Sequence, residues 1–190
     1  MLFFATTINY IDRQIIGLLK PILELEFQWT ETDFAHIVMA FTAAYAVGLL
    51  IIGRFVDKVG TRRGFTVIII IWSVAGMLHA IARNALHFIF ARIGLGLGES
   101  GNFPAAMKSV SEWFPKKERA IATGIINSGT AVGVVMALLV VPWILNHYGW
   151  HEVFWITGAF GFIWLLFWLV FYDLPAKQKR LSKEEFKFIH

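Results

Sequence analysis

An all-α membrane protein of six transmembrane helices is the fold class this sequence predicts, on three observations. Apolar runs of membrane-spanning length recur along the chain, as in "DFAHIVMAFTAAYAVGLLIIG" (33–53). Hydrophobic residues make up 57% of the 190 and mean hydropathy is +0.64, whereas a soluble domain of this length would alternate apolar and polar faces. Basic residues collect in alternate short connections rather than in a stripe, which is the pattern of membrane topology.

The first span covers about 2–20 and is expected to end at Pro21. Acidic "LELEFQWTETD" follows, with Trp29 as an interface anchor. The second span, about 33–53, takes Thr32 or Asp33 as its N-cap. The basic turn "RFVDKVGTRR" leads to the third, about 64–82, and Arg83–Asn84 to the fourth, about 85–112, which Gly residues and Pro104 interrupt. "FPKKER" precedes the fifth, about 119–142, and the sixth covers about 153–172. Residues 1–175 thus form one six-helix unit. The tail 176–190 carries Ser182 and Glu185 at capping-box spacing, then Phe186, Phe188 and Ile189, and begins a cytoplasmic loop with an amphipathic helix.

Orientation follows from the basic loops. Arg54, Lys58, Arg62 and Arg63 follow span two, and Lys116, Lys117 and Arg119 follow span four. Lys177, Lys179, Arg180, Lys183 and Lys187 follow span six, while Lys20 and Arg83 are the exceptions on the other side. Even-numbered ends and the C-terminus are therefore expected in the cytoplasm. The net charge of +4 is explained by these loops, so no nucleic acid is expected as a partner. Without cysteine there is no thiolate nucleophile and no Cys-based metal site, and no cofactor is expected. The opening "LFFATTINYID" lacks a basic n-region and a cleavage site, so no signal peptide is expected.

Asp12, Arg13, Arg92 and Glu99 lie within spans. An ionised group at the bilayer centre costs roughly 3 kcal/mol on insertion scales, so such residues face a cavity and pair. Arg92 and Glu99 are seven residues apart, about 20° around a helix and roughly 10 Å along it, so they share a face and a pair would need Arg92 to reach along the helix. One reading is a central site where arginine binds an anion and carboxylates carry protons. The bland alternative is a structural ion pair locking spans one and four. Two carboxylates and two arginines at comparable depth favour the site.

The letters "GESG" around Ser100 also spell an intramembrane serine protease signature. That reading fails because His36, His79, His87, His147, His151 and His190 lie near span ends, in loops or in the tail, away from the serine's depth. A small Ser between Gly98 and Gly101 is read as a close helix-packing surface. Trp113, Trp143 and Trp150 are read as interface-belt residues rather than sugar platforms.

These residues resemble a known family. "GRFVDKVGTRR" (53–63) fits the loop motif between helices two and three of the major facilitator superfamily, with Gly53, Asp57, Gly60, Arg62 and Arg63 at its positions. In physical terms Gly53 would permit close helix approach, and Asp57 would meet a helix N-terminus or an Arg. "RIGLG" (92–96) is similar to the helix-four Arg motif. "NYIDRQ" with "RIGLGLGESGNFPA" looks like the anion:cation symporter branch. The wording "INYIDRQIIGLLKP", "LGLGESGNFPAA" and "EWFPKKERA" is most like bacterial hexuronate (glucuronate/galacturonate) transporters.

The resemblance implies the N-terminal half of a twelve-helix transporter, built of two inverted three-helix repeats. Substrate would sit between this half and a C-terminal six-helix half that is the missing partner. It implies Asp12 and Glu99 as protonatable carboxylates, Arg13 as the partner of a substrate carboxylate, and Arg92 paired with Glu99. Tyr10 and Tyr45 would hydrogen-bond sugar hydroxyls, with Asn127 and Ser128 as weaker candidates. The expected function is proton-coupled symport of a sugar-acid anion across the bacterial inner membrane, not an enzymatic reaction. The alternative is a six-helix membrane protein that homodimerises or does not transport.

Overall fold

The structure, a computed structural model, describes residues 1–178, 181 and 185. Among the described residues from 1 to 178, seven α-helices build six spans: α1 Leu2–Phe27, α2 Glu31–Val59, α3 Thr61–Leu78, α4 Ala85–Ser100, α5 Asn102–Trp113, α6 Arg119–Tyr148 and α7 Trp150–Phe171. Among the described residues there is no strand. The amphipathic helix expected in the tail falls on residues outside those described, apart from Leu181 and Glu185.

Several boundaries differ from the expectation for local reasons. Helix α1 runs through Pro21 and closes on a left-handed Gln28. Leu19, Leu23 and Phe27 pack into the outer core, and that burial outweighs the one ladder bond a proline forgoes. Helix α2 starts two residues early because Thr30 is the N-cap, in a reciprocal capping box with Asp33. It continues to Val59, so the basic turn is helical except at Gly60, whose φ of 88° and ψ of 155° suit glycine alone. Helix α3 gives way after Leu78 to a three-residue 3-10 turn, His79–Ile81. Span four is two helices broken at Gly101, because Pro104 cannot donate to the Ser100 carbonyl and instead occupies the first turn of α5. Helix α6 carries Pro142 and continues to Tyr148, and α7 starts at Trp150.

Helices α2, α6 and α7, and α3 with its 3-10 turn, are each long and apolar enough to cross a membrane. Helix α1 is not among them, with Asn9, Asp12, Arg13 and Gln14 in its middle. The most extensive packings pair α1 with α6, α2 with α4, and α3 with α7. Exchanging spans one to three for spans four to six converts the first pairing into the second and leaves the third unchanged. That is the pattern of two inverted three-helix repeats.

Small residues set how closely these helices approach. A side chain on Gly98 would lie 2.7 Å from the Trp72 nitrogen, and one on Gly96 would lie 2.6 Å from the Phe41 carbonyl oxygen. Ser100 packs against Gly48, as a close-packing residue should. Trp150 is a core residue rather than a belt residue: it is buried in the outer cluster, and its indole donates to Glu26.

Candidate functional site

Two helices, α1 and α4, bring the intramembrane charges together. Helix α1 presents Asp12 and Arg13 on different sides, since adjacent helical residues point about 100° apart. Arg13 Nε donates to Glu99 Oε2 at 2.7 Å, joining α1 to α4. The Glu99 side chain is 0% exposed and that of Arg13 19%, so the pair sits where the protein interior meets open space.

The expected pairing of Glu99 with Arg92 is therefore corrected. Two turns of helix separate them, and Arg13 approaches from the side at shorter range. Arg92 is 2% exposed, lies near Asp12 and Glu99, and its Nε and Nη2 have no acceptor. Asp12 is 3% exposed and stands beside Thr157 of α7, yet neither carboxylate oxygen accepts a hydrogen bond. The cluster is formally neutral with most of its donors and acceptors uncommitted. Such groups are costly in a membrane core unless a partner arrives.

The two tyrosines expected to meet sugar hydroxyls lie against Arg13. Its guanidinium carbon is 4.4 Å from the Tyr45 ring centroid and 4.9 Å from that of Tyr10. Both tyrosines are half-buried. Asn127 and Ser128 are exposed on α6; Ser128 bonds back to the Ile125 carbonyl, and neither hydrogen-bonds the charged cluster.

Sequence reasoning missed Phe41, which lies under both arginines, and Asn9, buried with both amide atoms uncommitted. Phe41 was within reach of the helical repeat, being four residues before Tyr45 on α2. Ser100 donates to the Leu97 carbonyl and bonds no histidine, which leaves it no catalytic base.

At the α2–α3 turn the loop motif departs from its expected contacts. Asp57 receives Lys108 Nζ at 2.8 Å instead of a helix N-terminus or an Arg. A Cβ added at Gly53 would meet no described atom beyond its own helix within 4 Å, so the close approach near this motif belongs to Gly64 against Val56. Arg62 joins α3 to the end of α7 through Asp173 and the Leu169 carbonyl. Arg63 is exposed. Glu112 accepts from both Thr61 and Tyr172, tying spans three, four and six together. Burial and this carboxylate neighbour raise the Tyr172 pKa above its usual value, so its hydroxyl stays a donor.

The Major Facilitator Superfamily model matches residues 2–189. The chain belongs to the major facilitator superfamily. It is 34% identical over 185 residues to the galacturonate transporter of Dickeya chrysanthemi, covering 97% of this chain and 54% of that protein. It is 35% identical to the hexuronate transporter of Escherichia coli strain K12, covering 97% of this chain and 43% of that one. The chain thus spans about half the length of the curated relatives it matches. These relatives are transporters and not enzymes.

Solved structures agree on the fold. A bacterial homologue of the human lysosomal transporter Spinster, inward-facing and unoccupied, superposes with a TM-score of 0.78 at 24% identity, over 96% of this chain and 44% of that one. A proton:xylose symporter superposes with a TM-score of 0.71 at 16% identity, over 99% of this chain and 48% of that one. This superfamily chain is accordingly a multi-pass, all-helical membrane protein with the six-helix, inverted-repeat architecture.

Proposed function

We propose that the full-length protein is a proton-coupled symporter of a sugar-acid anion of the hexuronate class. This chain supplies one half of the site, and a second six-helix half supplies the other. The observation that carries the reading is the Arg13–Glu99 ion pair, which joins a buried carboxylate to a partly open guanidinium. The relatives described as galacturonate and hexuronate transporters support the substrate class.

In the mechanism, a proton from outside neutralises Glu99, and Arg13 loses the anion that occupies its Nε. Asp12 plays the same part toward nearby Arg92. The released guanidinium groups take the substrate carboxylate, and the Tyr10 and Tyr45 hydroxyls meet the sugar hydroxyls. Rocking of the two halves turns the site toward the cytoplasm, where substrate and proton leave together. The basic loops support a cytoplasmic C-terminus, and the transporter relatives support a bacterial inner membrane as its location.

The test uses full-length protein in liposomes with an inward acid gradient. Glu99→Gln is expected to exchange glucuronate across the membrane and to lose gradient-driven accumulation. Undiminished uphill uptake by that variant would remove Glu99 from proton coupling.

A further inference from the structure

Three aromatic rings crowd the arginines of this site, and only Phe41 is shared by both. The guanidinium carbon of Arg13 lies over its ring at 5.6 Å from the centroid, and that of Arg92 at 5.5 Å. The ring stacks on Tyr45 at 5.9 Å and 23°, which fixes its tilt. Its backbone is held against α4 at Gly96, one turn from Arg92, where no side chain would fit.

A carboxylate and an aromatic ring hold a guanidinium in different ways. The carboxylate takes the N–H groups at the edge of the plane, which are the groups an incoming anion also needs. The ring attracts the flat face through its quadrupole and leaves those edges free. Arg13 Nη2 and Arg92 Nε and Nη2 are buried without an acceptor, in keeping with edges that remain open.

We propose that Phe41 is a positioning residue of the anion site, its ring holding the guanidiniums of Arg13 and Arg92 by their faces while Arg13 Nη2 and Arg92 Nε and Nη2 stay free for a substrate carboxylate. This rests on the sugar-acid reading above for the identity of the anion, but the holding of the two arginines does not. An aliphatic residue of similar volume fills the space and lets the guanidiniums drift, Arg13 turning its free Nη2 toward Glu99 Oε1 and Arg92 moving toward Asp12. Tyrosine keeps the π face and rescues it.

The experiment uses the full-length protein with two readouts. Calorimetry measures D-glucuronate and D-galacturonate binding to wild type, Phe41→Leu, Phe41→Tyr, and a series with one, two and three fluorines on the position-41 ring. Nitrogen-15 NMR of labelled arginine follows the Nε–H signals of Arg13 and Arg92 with no sugar acid present. Affinity is expected to fall stepwise with fluorination and to be about tenfold weaker in Phe41→Leu, with Phe41→Tyr close to wild type. Both arginine signals should move in Phe41→Leu and shift progressively along the fluorine series. Affinity that ignores fluorination, with unmoved arginine signals, overturns the proposal and leaves Phe41 as packing. Arginine signals that respond while no variant, wild type included, binds a uronate keep Phe41 as the holder and overturn the substrate reading instead.

Discussion

At Glu99 a carboxylate shielded from solvent accepts from Arg13 on another helix, while Arg92 on its own helix stays unpaired. Deleting one partner of such a pair strands the other charge, at a cost of roughly 3–5 kcal/mol. Arg13→Ala should therefore lower the melting temperature of the full-length protein in detergent, and adding Glu99→Gln should restore most of the loss. A double variant no more stable than Arg13→Ala would mean the two groups are not coupled. The same Arg13→Ala is expected to abolish sugar-acid binding, and normal affinity in a calorimetric titration would take Arg13 out of the site. The four intramembrane charges were legible in the sequence because each is costly in lipid. Their pairing was not legible, because a helical repeat says which residues share a face but not which neighbouring helix faces them. The family resemblance implied Arg92 as the partner of Glu99, and the nearer guanidinium came from α1.

Helix ends obey a balance between local signals and burial, and here burial wins repeatedly. Pro21 and Pro142 stand inside helices whose flanking residues reach the core, whereas Pro104 coincides with a real break at Gly101, where the Ser100 carbonyl loses its donor. Periodicity located all the spans but could not rank those prolines, since each looks alike without its neighbours. Glycines divide in the same way. Gly98→Ala would push a methyl group into the backbone of Trp72 and should destabilise by about 1–3 kcal/mol, as overpacking does. Gly53→Ala enters open space and should leave the melting temperature unchanged or slightly raised. Thermal unfolding followed by circular dichroism separates the two, and equal losses would contradict the packing described here. Gly53 was singled out from the motif and Gly98 only as a flank of Ser100, because spacing marks small residues without saying what approaches them.

On the scale of the whole molecule, Arg13, Tyr10 and Tyr45 are partly exposed around one site, the face that the proposed second half would cover. Liposomes holding this chain alone are expected to show no uronate uptake, and uptake above empty vesicles would instead favour a self-associating half. The architecture was legible from spans, basic loops and motifs together. The exchange of partners between its repeats was not, since no local pattern reports which distant helix a span will join. That exchange bears on biogenesis. When α1 leaves the ribosome its principal partner, α6, has not been synthesised, and Asp12 and Arg13 make it a poor solitary guest in lipid. It must stay at the insertion machinery until Arg119–Tyr148 arrives. Chains cut before residue 119 should insert α1 inefficiently in a glycosylation-tag assay, and chains cut after 148 should insert it fully; equal insertion would show that α1 enters unaided. Assembly of this half is then a single late event in translation rather than two early ones.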